Sequence, residues 1–228
     1  MGAALAALQR VVSDSLHMTS GVYGRGRGGA LQYDGERPGP GWHAHGWFGR
    51  WLFVLEGGEL RRVRLWKRRW RARRVAGGTC HSRPPDDVPS VWSCSLIVLL
   101  TLWGWLDGPD GVERARGVVP GLEDHPSSRT ARRWLLRALP HALELQQRVR
   151  LAVVERSEPR PPEILFPSGL SPPAGLVRRR WQAPDAIEQL WRALALVFLG
   201  SAKLRVPASL LLAEARRRGV TSRPSWPL

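Results

Sequence analysis

With 228 residues the chain can bury a sizeable core, as one large domain or two small ones. Thirty-five Lys/Arg against nineteen Asp/Glu give a formal net charge of +16, which favours nucleic acid or an anionic surface as partner. Two cysteines, Cys80 and Cys94, exclude a disulfide framework, and no secretory pattern opens the chain, so a cytoplasmic protein is expected.

Only Lys67 and Lys203 are lysines, so part of the charge reflects a GC-rich, arginine-biased coding sequence. Where the charge sits therefore says more than its total. Residues 1–20 form an N-terminal segment, helical or disordered, with helix-compatible spacing at Leu5, Leu8, Val11, Val12 and Leu16. Glycine, proline and polar residues dominate from Thr19 to Gly46 and exclude ordinary helix, with a turn at Gly24–Gly29. Trp47–Leu55 reads as a strand, Glu56–Glu59 as a tight turn around Gly57–Gly58, and Leu60–Trp70 as the returning strand of a hairpin.

That return strand carries the most informative stretch. Nine of the fourteen residues from Arg61 to Arg74 are cationic and none is acidic: Arg61, Arg62, Arg64, Lys67, Arg68, Arg69, Arg71, Arg73 and Arg74. Val63 and Leu65 alternate with Arg62 and Arg64, as in a strand with one apolar and one cationic face. Guanidinium forks neutralise phosphates and stack on bases, which makes these residues candidate nucleic-acid contacts. The plainer alternative is a solvated basic strand or a like-charged disordered tract. Trp66 and Trp70 interrupt the charge and favour the first reading.

A proline-rich boundary at Arg83–Pro89 precedes a change to helical period. Helices are predicted at about 90–106, Gly111–Val118, Ser128–Leu139 and His141–Glu155, then a linker over 157–182, then Ala183–Leu199 and Pro207–Arg218. The sixteen uncharged residues Val91–Leu106 fall short of the roughly 20 needed to span a bilayer and read as a buried helix. The predicted fold class is α+β: a small β module over 21–89, a mainly helical domain over 90–156, and closing helices over 183–228.

Asp110–Arg137 has the pattern of a helix-turn-helix. Pro120–Gly121 breaks the first helix, and Ser127–Ser128 can cap the second by accepting its free N–H groups. Ser128, Arg129, Thr130, Arg132 and Arg133 would face a DNA groove while Trp134, Leu135 and Ala138 pack inward. An ordinary helical hairpin with a basic outer face is the alternative. For zinc, His43, His45, Cys80 and His81 form an unusual donor set, and the adjacent pair Cys80–His81 would strain a shared site.

Gly24–Gly28, His45-Gly46-Trp47, Arg69–Arg73, Thr79-Cys80-His81 and Pro85–Pro89 occur in the order of a known module. Residues 22–90 resemble the zinc ribbon that precedes a helix-turn-helix in bacterial insertion-sequence transposases and an uncharacterised family related to them. The resemblance implies zinc ligands at Gly24, Arg27, Trp70 and Arg73, where the family has cysteines. It places Cys80–His81 where the family has a non-ligand residue before a histidine. It thus implies a degenerate zinc-ribbon-like module without its metal, leaving Trp42, Trp47, Trp51, Trp66 and Trp70 to supply the hairpin's core. The expected function is DNA binding by the recognition portion of a transposase, without a catalytic domain, cofactor or small-molecule substrate. No P-loop, nucleophile elbow or dinucleotide pattern supports catalysis, and Asp107, Asp110 and Glu113 serve better as solubilising charges. The rival readings are a peripheral membrane or protein-interaction role, with Val91–Leu106 inserting, and a degenerate product with no surviving function.

Overall fold

Alternating apolar residues on two long runs build the centre of the sheet. In the computed structural model, which describes residues 22–56, 59–73, 78–85, 93–107, 126–159, 170 and 184–218, these runs are β3 (Trp42–Glu56) and β4 (Glu59–Ala72). They pair antiparallel from Trp42↔Ala72 to Glu56↔Glu59, a ribbon about 45–50 Å long at strand rise. β1 (Gly24–Arg25) pairs antiparallel with β2 (Leu31–Tyr33), and β2 runs parallel to β4 along Leu65–Lys67. β5 (Thr79–His81) continues the same edge of β4 along Arg69–Arg71. The result is a mixed sheet in the order β1-β2-β4-β3, with β5 beside β2 on the flank of β4.

β3 begins five residues earlier than the sequence predicts. The pairing shifts register between Ala44 and Trp47, and Gly46 there adopts φ +84°. A bulge glycine in the left-handed region lets the strand continue through a position that reads locally as its end.

The helical part is α1 (Ser95–Asp107), α2 (Ser128–Ala138), α3 (Ala142–Arg156), α4 (Pro184–Leu204) and α5 (Ala208–Arg217). These match the predicted helices to within a few residues, save that α1 starts later and α4 runs five residues further. The predicted helix Gly111–Val118, the N-terminal segment, Gly57–Gly58 and nearly all of the linker lie outside the described residues. Every side chain of α1 from Ser95 to Leu106 is buried, as expected of a helix apolar all round. Trp103 of α1 stacks on Trp191 of α4 at 4.8 Å between ring centroids and meets Phe198 edge-on at 4.8 Å. These contacts fix α1 against α4.

α3 buries Leu145, Val149, Ala152 and Val153 on one stripe against α4 and α5. α4 ends at Leu204, Arg205 then takes φ +54°, and Pro207 caps the start of α5, which leaves at a sharp angle. Leu52, Val54, Leu55 and Leu65 of the hairpin join the helices' buried residues in one contiguous cluster. The segment entering α1 is tied to the outer edge of β3, where the Cys94 N–H donates to the Phe53 carbonyl at 2.9 Å. The chain is therefore α+β, with the turn end of the hairpin anchored in the helical core.

Candidate nucleic-acid interface

Strand alternation sorts the hairpin's side chains into two sets. Val54, Leu52, Val63 and Leu65 share one face with Arg50, Phe48 and Lys67, while Phe53, Trp51, Gly49 and Trp47 share the other with Arg62, Arg64, Trp66 and Arg68. On the first face Leu52, Val54 and Leu65 are buried, which is the apolar face predicted from Val63 and Leu65. Arg50, Arg61, Arg69 and Arg71 fall on the first face, while the second carries Arg62, Arg64 and Arg68 together with Trp47, Trp51 and Trp66.

Its directly opposed pairs, taken along the ribbon, are Trp47↔Arg68, Gly49↔Trp66, Trp51↔Arg64 and Phe53↔Arg62. Arg68 lies 3.9 Å from the Trp47 ring centroid. Arg62 and Arg64 lie 4.6 and 5.3 Å from that of Trp51, and Arg64 also 5.0 Å from that of Trp66. Guanidinium planes over indole faces are held by cation–π attraction, worth roughly 0.5–1 kcal/mol each at exposed sites. Trp51 is 40% and Trp66 36% exposed, high values for large rings inside a sheet. Gly49 is what lets Trp66 lie across the ribbon, because a Cβ at that position would stand 2.6 Å from the indole. The Nε atom of Arg64 is buried between its neighbours with no acceptor among the described residues. Trp47, Trp51 and Trp66 thus form a ladder interleaved with arginine rather than the hairpin core that the resemblance implies, while Trp42 and Trp70 are half-buried.

The remaining cations of the run divide. Arg61 pairs with Glu56 at 3.2 Å and Glu59 at 3.3 Å beside the turn. Lys67 is 9% exposed, on the apolar face over Phe48, and so leaves the expected contact set. Arg69, Arg71 and Arg73 are exposed, the first two on the Lys67 face, while Arg68 is held by Asp34. Arg74 lies outside the described residues. Periodicity could separate the faces, but not the burial of Lys67, which depends on β2 and β5 covering that edge.

In α2, Ser127 is the N-cap and its Oγ accepts the Thr130 N–H. Ala131, Trp134, Leu135 and Ala138 are buried, while Arg129, Arg132, Arg133 and Arg137 are exposed; Ser128 and Thr130 are half-buried. The predicted inward and outward faces are therefore both found. The partner helix of the expected helix-turn-helix falls on residues outside the description.

The four positions implied as zinc ligands do not fit the metal. Glycine offers no donor, a guanidinium is protonated, and indole has no free lone pair on nitrogen. Trp70 instead donates its indole N–H to Ser82 Oγ at 2.9 Å, and that hydroxyl donates to the Asp34 carbonyl at 2.7 Å. The Ser82 N–H donates to the Arg68 carbonyl at 2.8 Å. A serine knot thus joins the loop after β2 to the chain after β5 across β4. Cys80 and His81 are successive strand residues opposite Trp70 and Arg69, so they face opposite ways, and burial pushes the Cys80 thiol up against the pull of Arg83. His43 and His45 stand 6.3 Å apart, ring to ring, and His81 packs on Phe48 at 4.4 Å. Among the described residues no three His, Cys, Asp or Glu side chains converge to hold a metal ion.

Comparison of the chain with protein-family models, with curated proteins and with solved structures gives no match.

Proposed function

We propose that this chain is a DNA-binding protein of the cytoplasm, acting by recognition without a catalytic step. The observation that carries the reading is the ladder of Arg62, Arg64 and Arg68 interleaved with Trp47, Trp51 and Trp66 on one sheet face, where Arg62, Trp51 and Trp66 are exposed and the others half-buried. Arginine supplies phosphate neutralisation, and the part-exposed indoles of Trp51 and Trp66, with guanidiniums lying over them, supply stacking surface. The basic outer face of α2, with Arg129, Arg132 and Arg133, would contribute further backbone contacts, and Ser128 and Thr130 would lie nearest its positive helix end. Descent from a transposase recognition region belongs to this proposal and rests on the motif order alone.

The membrane reading loses its inserting segment, because Leu96–Leu106 are buried among the protein's own side chains. No single described helix is long and apolar enough to cross a membrane; α4 and α5 pass the test only as a pair bent by 119°, with much of their apolar surface in the core.

The test is a salt titration of DNA binding by Arg62→Gln/Arg64→Gln against the unaltered chain. Each lost phosphate contact removes about 0.7–0.9 from the slope of log K against log salt, so the double variant flattens it by about 1.5 and lowers low-salt affinity about tenfold. Identical slopes and affinities for the two proteins would refute the assignment of this face.

A further inference from the structure

We infer that the ladder face takes single-stranded nucleic acid, with bases stacked on Trp51 and Trp66 and phosphates held by the flanking arginines; this rests on the nucleic-acid reading above. Three observations favour a single strand over a duplex.

The first is the kind of surface exposed. A duplex presents base edges in its grooves and hides base faces in the stack, so it has nothing to lay on an indole plane. A single strand has free faces, and stacking on aromatic rings or guanidinium planes is how such strands are held. Trp51 and Trp66 expose 40% and 36% of their surface here, beside arginines that can serve as both stacking planes and counter-charges.

The second is width. A bare two-stranded ribbon can enter a major groove, but at Trp66 this sheet is four strands wide, with Gln32 of β2 directly beside Trp66 and Gly24 of β1 beside Gln32. Four strands span about 14 Å between outer backbones, more than the roughly 12 Å groove. Around Trp66 the face is thus too broad to enter a groove and can only lie against nucleic acid.

The third is spacing. Trp47, Trp66 and Trp51 occupy successive rows on alternate strands, and rows on one face recur about every 7 Å. Stacked nucleotides advance about 3.4 Å each. The rows thus match alternate nucleotides of a stacked strand, or consecutive nucleotides of a stretched one. The stretch Leu60–Arg74 itself contributes no acidic residue; Asp34 pairs with Arg68 at one end of the ladder, and Glu56 and Glu59 with Arg61 at the turn end.

The experiment is fluorescence anisotropy of the full chain with labelled oligothymidylate, oligouridylate, a DNA duplex of equal length, and an abasic strand with the same number of phosphates. Oligothymidylate, oligouridylate or both bind about tenfold or more tighter than the duplex, and the abasic strand loses about tenfold against oligothymidylate. Trp51→Ala/Trp66→Ala loses a similar factor on the base-bearing strand and leaves abasic binding unchanged. The abasic comparison uses the unaltered protein, so it decides the matter even if the double variant fails to fold. Duplex binding as tight as single-strand binding, or an abasic strand bound as well as oligothymidylate, overturns this inference and leaves the wider nucleic-acid reading standing. Absence of binding to every probe at low salt overturns both.

Discussion

Ser82 shows how one small side chain can tie two loops together across a strand. It is buried, accepts from the Trp70 indole and donates to the Asp34 carbonyl, so its removal strands two polar groups in a part-buried place. Stranding such groups costs about 1–3 kcal/mol, whereas the hydroxyl's own bonds are worth less in net terms. Gly35 sits against it at φ +67°, where a Cβ would meet Ser82 at 2.7 Å, so the loop has no room to repack around the loss. Ser82→Ala should therefore lower the melting temperature by about 2–4 °C for each kcal/mol lost, followed by circular dichroism. A melting curve superimposable on that of the unaltered chain would show that the knot contributes nothing. Sequence reasoning found Trp70 but not its role. The resemblance implies a metal ligand at Trp70, while its actual partner is a serine twelve residues on. Its only visible signal is that β5 returns along β4, and the short run Thr79–His81 does not announce a strand.

The elements themselves were largely legible, because each carries a strong periodic pattern. α2 is defined by the Ser127 cap and the spacing of Ala131, Trp134, Leu135 and Ala138; α1 by an unbroken apolar run. Strand boundaries were less legible where glycine serves a bulge rather than a stop, as at Gly46. Helix packing was not legible at all from period alone, and Gly200 is the clearest instance. A Cβ there would stand 3.1 Å from Val153 Cγ2 and 3.8 Å from Leu211, so α4 meets α3 and α5 at a position that only glycine occupies without displacement. Glycine inside a helix costs about 1 kcal/mol against alanine, which marks the close approach as the reason for its presence. Gly200→Leu would force the three helices apart and destabilise by about 1–3 kcal/mol through overpacking. Urea denaturation gives the comparison directly: a midpoint equal to or above that of the unaltered chain would mean that the helices are not in close contact there.

At the scale of the whole molecule, one core joins sheet and helices, and α5 is the last described helix to contribute to it. Leu211, Leu212 and Ala215 bury its inner face. Beyond its end Arg218 spans Glu214 of α5, at 2.9 Å, and Glu155 of α3. The Arg217 hydrogen bond holds the Glu214 carboxyl below its ordinary value of 4.5, with burial opposing and the charges of Arg217 and Arg156 assisting. A carboxyl with a depressed folded-state pKa stabilises the fold fully above its unfolded value and loses that contribution as pH falls through the folded one. Stability should therefore hold down to about pH 4.5 and then decline, with this pair of helices loosening as Glu214 takes up a proton. The group lies at the surface edge, so its share is below about 1 kcal/mol. Glu214→Gln removes the titrating charge, and the variant should melt lower than the unaltered chain near neutrality yet converge with it at acid pH. Because apolar burial of Leu211 and Leu212 does not titrate, the transition should remain cooperative throughout this range. Curves that stay equally separated from neutral to acid pH would show that the charge on Glu214 contributes nothing to stability.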